Sequence, residues 1–220
     1  MCLYNKNMNN IYKHKNISKP SLCISTKCTQ LLTSDREPIQ TGSLTLKTLF
    51  LGELPTIAEG CQTLIANNNR IRKVLDLPST LRKISLKRNY IQYYNYDSFG
   101  PNLKEFDVAH NFLNDLPFAP PTLETLSVSD NPLPYLPFLP DTLKTIKASK
   151  CKLTNLPPFP RSLEYLSVRN NNIEEIGDDL INCRNLRDLK YEGNPNIHLS
   201  ERLLDHIDNH FARMRGEEVD

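Results

Sequence analysis

The chain has 220 residues, 39% of them apolar, with 16 Pro against 7 Gly, no Trp and a formal charge of +2. The scattered glycines rule out a Walker-type phosphate loop, a GxGxxG dinucleotide loop and a collagen repeat. No apolar run reaches the ~18 residues of a membrane-spanning helix, and so small a net charge does not by itself imply a nucleic-acid or membrane partner.

Residues 1–40 read as a poorly ordered basic leader and N-terminal cap. Lys6, Lys13, Lys15, Lys19 and Lys27 meet no acid before residue 31, whereas the rest of the chain holds 22 basic and 25 acidic side chains. An Asn-rich, charged stretch buries too little to order itself; a targeting or anionic-surface arm is the alternative. The start lacks the apolar core of a secretory signal, so the sequon Asn16-Ile17-Ser18 has no route to glycosylation. Cys23 and Cys28 lie near His14, but a zinc site needs a second, similarly spaced pair. No metal, cofactor or small-molecule substrate is expected.

From residue 41 the sequence repeats. Leu123-Glu-Thr-Leu126-Ser-Val128-Ser-Asp-Asn131-Pro-Leu133 recurs in phase at Leu143 to Leu153 and at Leu163 to Ile173, twenty residues apart each time. All three fit LxxLxLxxNxL, the leucine-rich-repeat signature. Starts at 41, 61, 81, 103, 123, 143, 163 and 186 give about eight copies over 41–198, the first of them degenerate. The fold class is α/β, a repeat solenoid. The LxL pair predicts short parallel strands on a concave face, with alternate residues inward.

Asn69, Asn89, Asn111, Asn131, Asn171 and Asn194 form one column, suited to a buried ladder because the carboxamide both donates and accepts. Cys151 replaces Asn in one copy and Cys61 replaces a core Leu; with Cys183 they read as buried thiols acting as small hydrophobes, which favours a reducing compartment.

The prolines fall into the same register. Pro117, Pro137 and Pro157 are one period apart, as are Pro120, Pro140 and Pro160. A Leu-Pro-x-x-Pro return fixes φ and removes donors, so convex segments should be extended or polyproline-like. Gly177 to Cys183, in a longer copy, fits one helical turn. Residues 199–216 predict a capping helix with Ser200 as N-cap, an apolar stripe of Leu203, Leu204, Ile207, Phe211 and Met214, and a stop at Gly216. Residues 217–220 form a tail.

The short copies, such as Leu75-Asp-Leu-Pro-Ser-Thr-Leu-Arg-Lys-Ile-Ser-Leu-Lys-Arg-Asn89 and Leu116-Pro-Phe-Ala-Pro-Pro-Thr-Leu-Glu-Thr-Leu-Ser-Val128, resemble those of YopM-like and IpaH-like bacterial effectors. The resemblance covers the repeats only. In IpaH-like proteins it would imply a following ubiquitin-ligase domain with a catalytic Cys; about 20 residues without Cys follow here. Secreted eukaryotic leucine-rich repeats close with a Cys-bearing or Trp-bearing cap after Asn-Pro. Neither residue follows Gly193-Asn-Pro195, which points to a cytosolic cap and a cytoplasmic protein, in the host cytoplasm if it is an effector.

No catalytic constellation emerges. His206 and His210 are one helical turn apart, but Ile207 stands where a zincin needs Glu; both imidazoles are expected on the solvent face. Ser129-Asp130-Asn131 spells a β-lactamase-type tripeptide without its Ser-x-x-Lys partner and lies in the repeat turn. The expected function is therefore non-catalytic binding of a protein partner, by a monomer, through the concave face. The candidate contacts are Lys83, Lys87, Arg88, Glu105, Asp107, Thr125, Ser127, Asp130, Lys147, Tyr165 and Arg169. Short blocks of opposite charge suit registration of a protein more than a phosphate backbone, which needs a continuous positive track. Tyr90, Tyr93, Tyr94, Tyr96 and Phe99 are a second candidate contact, some of them packing the longer copy. The competing reading is a substrate-recognition or regulatory subunit of an enzyme assembly such as a ubiquitin ligase or phosphatase.

Overall fold

The computed structural model describes residues 42–216 except 58, 76, 95–98 and 117–118. The leader with its cysteines and His14, Pro117, Tyr96 and the tail lie outside the described residues. In chain order the strands are β1 (Gly42–Thr45), β2 (Cys61–Ile65), β3 (Lys73–Val74), β4 (Lys83–Ser85), β5 (Tyr93–Tyr94), β6 (Glu105–Asp107), β7 (Thr125–Ser127), β8 (Thr145–Lys147), β9 (Tyr165–Ser167) and β10 (Asp188–Lys190). One eight-stranded sheet runs β1-β2-β4-β6-β7-β8-β9-β10, and every pair in it is parallel. The order follows the repeat: each copy lays its strand beside the previous one, as a solenoid requires.

Period-2 alternation builds the sheet. Leu64, Ile84, Phe106, Leu126, Ile146 and Leu166 occupy matching register positions, point inward and are buried. Residues on either side of them face the concave surface. The first Leu of each copy (Leu81, Leu103, Leu123, Leu143, Leu163) and the residue closing each LxL close the core from both ends of the strand. Burying one such side chain contributes roughly 1.5–3 kcal/mol, so the core is a sum of equal increments along the chain.

Two polar ladders satisfy the backbone that these tight turns leave unpaired. Asn131 shows the first: its Nδ2 donates to the carbonyls of Val108 (3.0 Å) and Val128 (2.8 Å), while its Oδ1 accepts from Leu113 N–H (3.0 Å). Asn69, Asn89, Asn111, Asn171 and Asn194 repeat the pattern. At Cys151 the thiol reaches Val128 O at 3.5 Å but offers Leu133 no oxygen, and the Leu133 N–H turns to Asn131 O instead. On the other side, hydroxyls of Thr80, Thr122, Thr142 and Ser162 donate to the first carbonyl of the preceding copy, at 2.7–2.9 Å.

The residue before each Asn-column position bends the chain. Thr48, Asn68, Arg88, His110, Asp130, Lys150 and Asn170 all have φ of 54–58°. This left-handed conformation is costly for residues other than Gly, Asn and Asp; here the two flanking ladders hold it. In the last copy Gly193 takes the position with φ 79°, and a Cβ there would run into the Asn170 side chain.

Among the described residues the convex return carries no α-helix in the Pro-rich copies. Carbonyls of Pro120, Pro140 and Pro160 accept the N–H of Leu123, Leu143 and Leu163 at 3.0 Å, so the second proline of each motif starts the turn into the next strand. Gly177 to Cys183 folds as predicted, as a 3-10 helix over Asp178–Asn182. A feature absent from the sequence reading is a second, two-stranded parallel sheet of β3 and β5. It joins the Lys73-Val74 and Tyr93-Tyr94 dipeptides in register.

Helix α1 (Glu201–Arg215) closes the C-terminal end, with Ser200 Oγ accepting from Leu203 N–H at 3.0 Å and Gly216 in the left-handed region. Its packing corrects the expected stripe. Leu203 is fully buried and Ile207 and Phe211 are partly so, but Leu204 and Met214 are exposed. Leu204 sits about 100° around the helix from Leu203, and the final turn, 213–216, is exposed throughout. His210 also departs from the expected solvent face: its Nε2 lies 2.5 Å from Leu186 O, and its ring stacks on His206 at 5.7 Å.

Candidate concave and lateral surfaces

Parallel pairing turns strand positions into columns across the concave face. One column contains Lys83, Glu105, Thr125, Thr145, Tyr165 and Asp188; the next contains Ser85, Asp107, Ser127, Lys147, Ser167 and Lys190. A third follows the strands at Lys87, Ala109, Ser129, Ser149, Arg169 and Glu192. The left-handed residues form the rim beyond it. Among the sequence-predicted contacts, Lys83, Glu105, Thr125 and Tyr165 fall in the first column and Asp107, Ser127 and Lys147 in the second. Lys87 and Arg169 stand in the third, while Arg88 and Asp130 belong to the rim.

The middle of this face is a floor of short side chains. Thr125, Ser127, Thr145, Ser129 and Ser149 are half-buried. Ser149 N–H donates to Ser129 Oγ (3.1 Å), and Ser149 and Ser167 share a hydroxyl bond at 2.8 Å. Asp107 Oδ1 accepts from the Ala109 N–H at 3.1 Å, which fixes that carboxylate at the floor's edge.

The charged groups bordering the floor pair with each other. Lys83 meets Glu105 at 2.5 Å; Glu124 bridges Lys104 (2.7 Å) and Lys144 (3.0 Å), and those hydrogen bonds hold its carboxyl below the usual carboxylate range. Arg169 grips Glu192 in a two-point contact (2.6 and 3.1 Å), lowering that carboxyl as well. His110 lies 3.3 Å from Asp130. Tyr165 is flanked by Lys147 and Lys190, whose ammonium groups lie 5.7 and 5.0 Å from the ring centroid, and Lys190 also reaches Asp188 at 2.7 Å. Charge that looked blocked in sequence is thus largely neutralised between adjacent copies.

The tyrosine-rich copy divides. Tyr94 and Phe99 pack against Phe106, with centroids 4.8–5.7 Å apart, and fill the longer loop. Burial raises the Tyr94 hydroxyl well above its ordinary pKa. Tyr90 and Tyr93 are exposed. Residues immediately after the Asn column make a lateral ridge, of which the sequence pointed to Tyr90 but not to Phe50, Arg70 or Phe112. Arg70 lies over the Phe50 ring at 5.2 Å, and Tyr90 stacks on Phe112 at 5.8 Å with planes 5° apart. The signal was available one position past each Asn.

Cys61, Cys151 and Cys183 are buried and form no disulfide among the described residues. Burial pushes the thiols of Cys151 and Cys183 up to about 11, which keeps them protonated and unreactive near neutrality. No group of three His, Cys, Asp or Glu among the described residues is placed to hold a metal, and no helix there is long and apolar enough to cross a membrane.

Comparison with known proteins agrees with this architecture. A Leucine Rich Repeat family profile matches residues 162–183. A Shigella effector leucine-rich-repeat domain superposes with TM-score 0.65 at 26% identity, over 83% of this chain and 79% of that one. YopM from Yersinia enterocolitica WA-314 gives TM-score 0.55 at 25% identity over 73% of this chain and 41% of that one. YopM from Yersinia pestis, a leucine-rich effector protein, gives 0.60 at 26%, over 73% and 50%. The chain therefore spans half or less of the two YopM chains. No curated protein sequence matches it. The repeats are leucine-rich repeats resembling those of bacterial effectors.

Proposed function

We propose that the chain is a non-catalytic interaction module, acting in the cytoplasm as a monomer, that receives a protein partner on its concave face. The observation carrying this reading is the floor around Thr125, Ser127 and Thr145. Its short, mutually bonded side chains leave room for another backbone or side chain, and paired charges border it at either end. A surface whose charges are already paired gives up less hydration on docking than one carrying isolated ions. Affinity would then come from a few groups such as Tyr165 and Arg169, with the floor supplying complementarity. The likeness to effector repeats supports the same reading.

Asp107→Lys/Lys147→Glu tests it. Both side chains lie in one column with Ser127 between them, so the exchange inverts the local field without touching the core. Affinity capture with the wild type and this variant should return different partner sets; identical sets would remove the concave face from the proposal.

A further inference from the structure

Basic residues are paired with acids less often in the early copies than in the later ones. Between residues 67 and 94 seven basic side chains face a single acid, Asp76. Of these, only Lys83 has an acidic partner among the described residues. Farther along, Lys104, Lys144, Arg169, Arg187, Lys190 and Arg202 are each paired with a carboxylate.

The unpaired charges collect on the lateral edge. Backbone bonds from Arg70, Tyr90 and Phe112 N–H to the carbonyls of Leu51, Ile71 and Ile91 set Phe50, Arg70, Tyr90 and Phe112 on successive copies. Arg88 stands at the rim beside them with Lys87 in the adjoining column, and Lys73 pairs in register with Tyr93. Phe50, Tyr90, Tyr93 and Phe112 are each about half exposed, at 49–53%.

Ring orientation selects the partner. Tyr90 and Phe112 stack face to face and Arg70 covers Phe50, so ring faces point along the solenoid and ring edges point outward. Nucleobases need open aromatic faces to stack on, and the facing sides of Tyr90 and Phe112 and the Arg70 side of Phe50 are occupied. The outward edges are the positive part of the aromatic quadrupole; with the guanidinium and ammonium groups they favour carboxylates and carbonyl oxygens.

We propose that this lateral ridge, from Phe50 to Phe112, is a docking surface for an acidic, extended segment of a protein partner. It is separate from the concave floor and shares only Lys87 and Arg88 with the contacts assigned there. At roughly 4.8 Å between copies, four copies span about 15 Å, the reach of four or five extended residues.

The test uses the full chain and a fluorescein-labelled peptide of alternating Glu and Tyr, read by fluorescence polarisation. A Lys/Tyr peptide and oligouridylate serve as comparison probes. Wild type should bind the acidic peptide, less tightly as salt rises. Arg70→Glu/Lys87→Glu should weaken binding about tenfold, because like charges then oppose across the contact. Lys144→Glu/Arg187→Glu, at the paired end, should leave it within about twofold, since exposed pairs there contribute little. Tyr90→Ser/Phe112→Ser should weaken it about threefold. These side chains are exposed except Lys87, which is half-buried, and unchanged thermal melts would show that the fold persists. No binding by wild type, equal losses in both charge variants, or no effect of the aromatic variant would overturn the proposal. Tighter oligouridylate binding that Arg70→Glu/Lys87→Glu abolishes would make the ridge a nucleic-acid surface and overturn it equally.

Discussion

Repeats 61–94 and 123–192 share one scaffold and spend their side chains differently. Both keep the Asn ladder, the inward strand residue and the left-handed turn. In the later copies, acids and bases one period apart meet across the strands, as in Lys104–Glu124–Lys144 and Arg169–Glu192. In the earlier copies Arg70, Arg72, Lys87 and Arg88 have no acidic partner among the described residues, and exposed rings stand between them. Backbone polar groups must be satisfied in every copy, so the ladder is common. Surface charge is under no such requirement, and there the copies diverge.

The ladder should dominate stability in both halves. Asn131→Ala removes two donors and an acceptor from buried backbone partners. It should cost about 3 kcal/mol, given ~1–3 kcal/mol for each buried polar group left unsatisfied. Urea unfolding would check it, and a loss below about 1 kcal/mol would separate the ladder from stability. Cys151→Asn runs the comparison in reverse. It returns an acceptor to Leu133 N–H and should raise stability by about 1 kcal/mol, provided the slightly larger side chain fits.

Much of this was legible in sequence. Five positions kept in phase fixed the strands, the inward residues and the Asn column before any coordinates. The β3–β5 sheet was not legible, because Lys73-Val74 and Tyr93-Tyr94 are too short to show alternation. The helix stripe over-reached at Leu204 and Met214, since periodicity marks a face and not where its neighbour ends. The concave candidates were placed in their columns, but pairing such as Lys83–Glu105 depends on the one-repeat offset between strands. The lateral ridge was legible only at Tyr90 and Tyr93; Phe50, Arg70 and Phe112 lie one residue beyond the Asn column, outside the repeat signature, and join Tyr90 only through the stacking of copies.

A pH series distinguishes buried from exposed groups. Cys151 and Cys183 have folded pKa values raised by burial from 9.0 to about 11. Between those values the folded state holds protons that the unfolded chain has released, so stability is full below pH 9 and falls as pH rises toward 11. Cys151→Ala/Cys183→Ala should flatten that limb of a melting-temperature profile. An unchanged limb would assign the loss to other groups.

Smaller effects sharpen the contrast in surface charge. Glu124→Gln breaks contacts to two lysines yet should cost less than about 1 kcal/mol, because both lysines are exposed and Glu124 itself is about a third exposed. Arg72→Gln should be neutral or slightly stabilising, by a few tenths of a kcal/mol, since it relieves repulsion among unpaired bases. Melts in low and high salt would read both. Equal signs in the two halves would dissolve the comparison.

The most direct measurement of the partner surface uses a photo-crosslinking side chain placed singly at Ser127, on the concave floor, or at Phe138, the 83%-exposed residue of a convex return. With the same partner present, the account predicts a crosslinked adduct from position 127 and none from 138. Adducts from 138 alone would contradict the concave-face assignment.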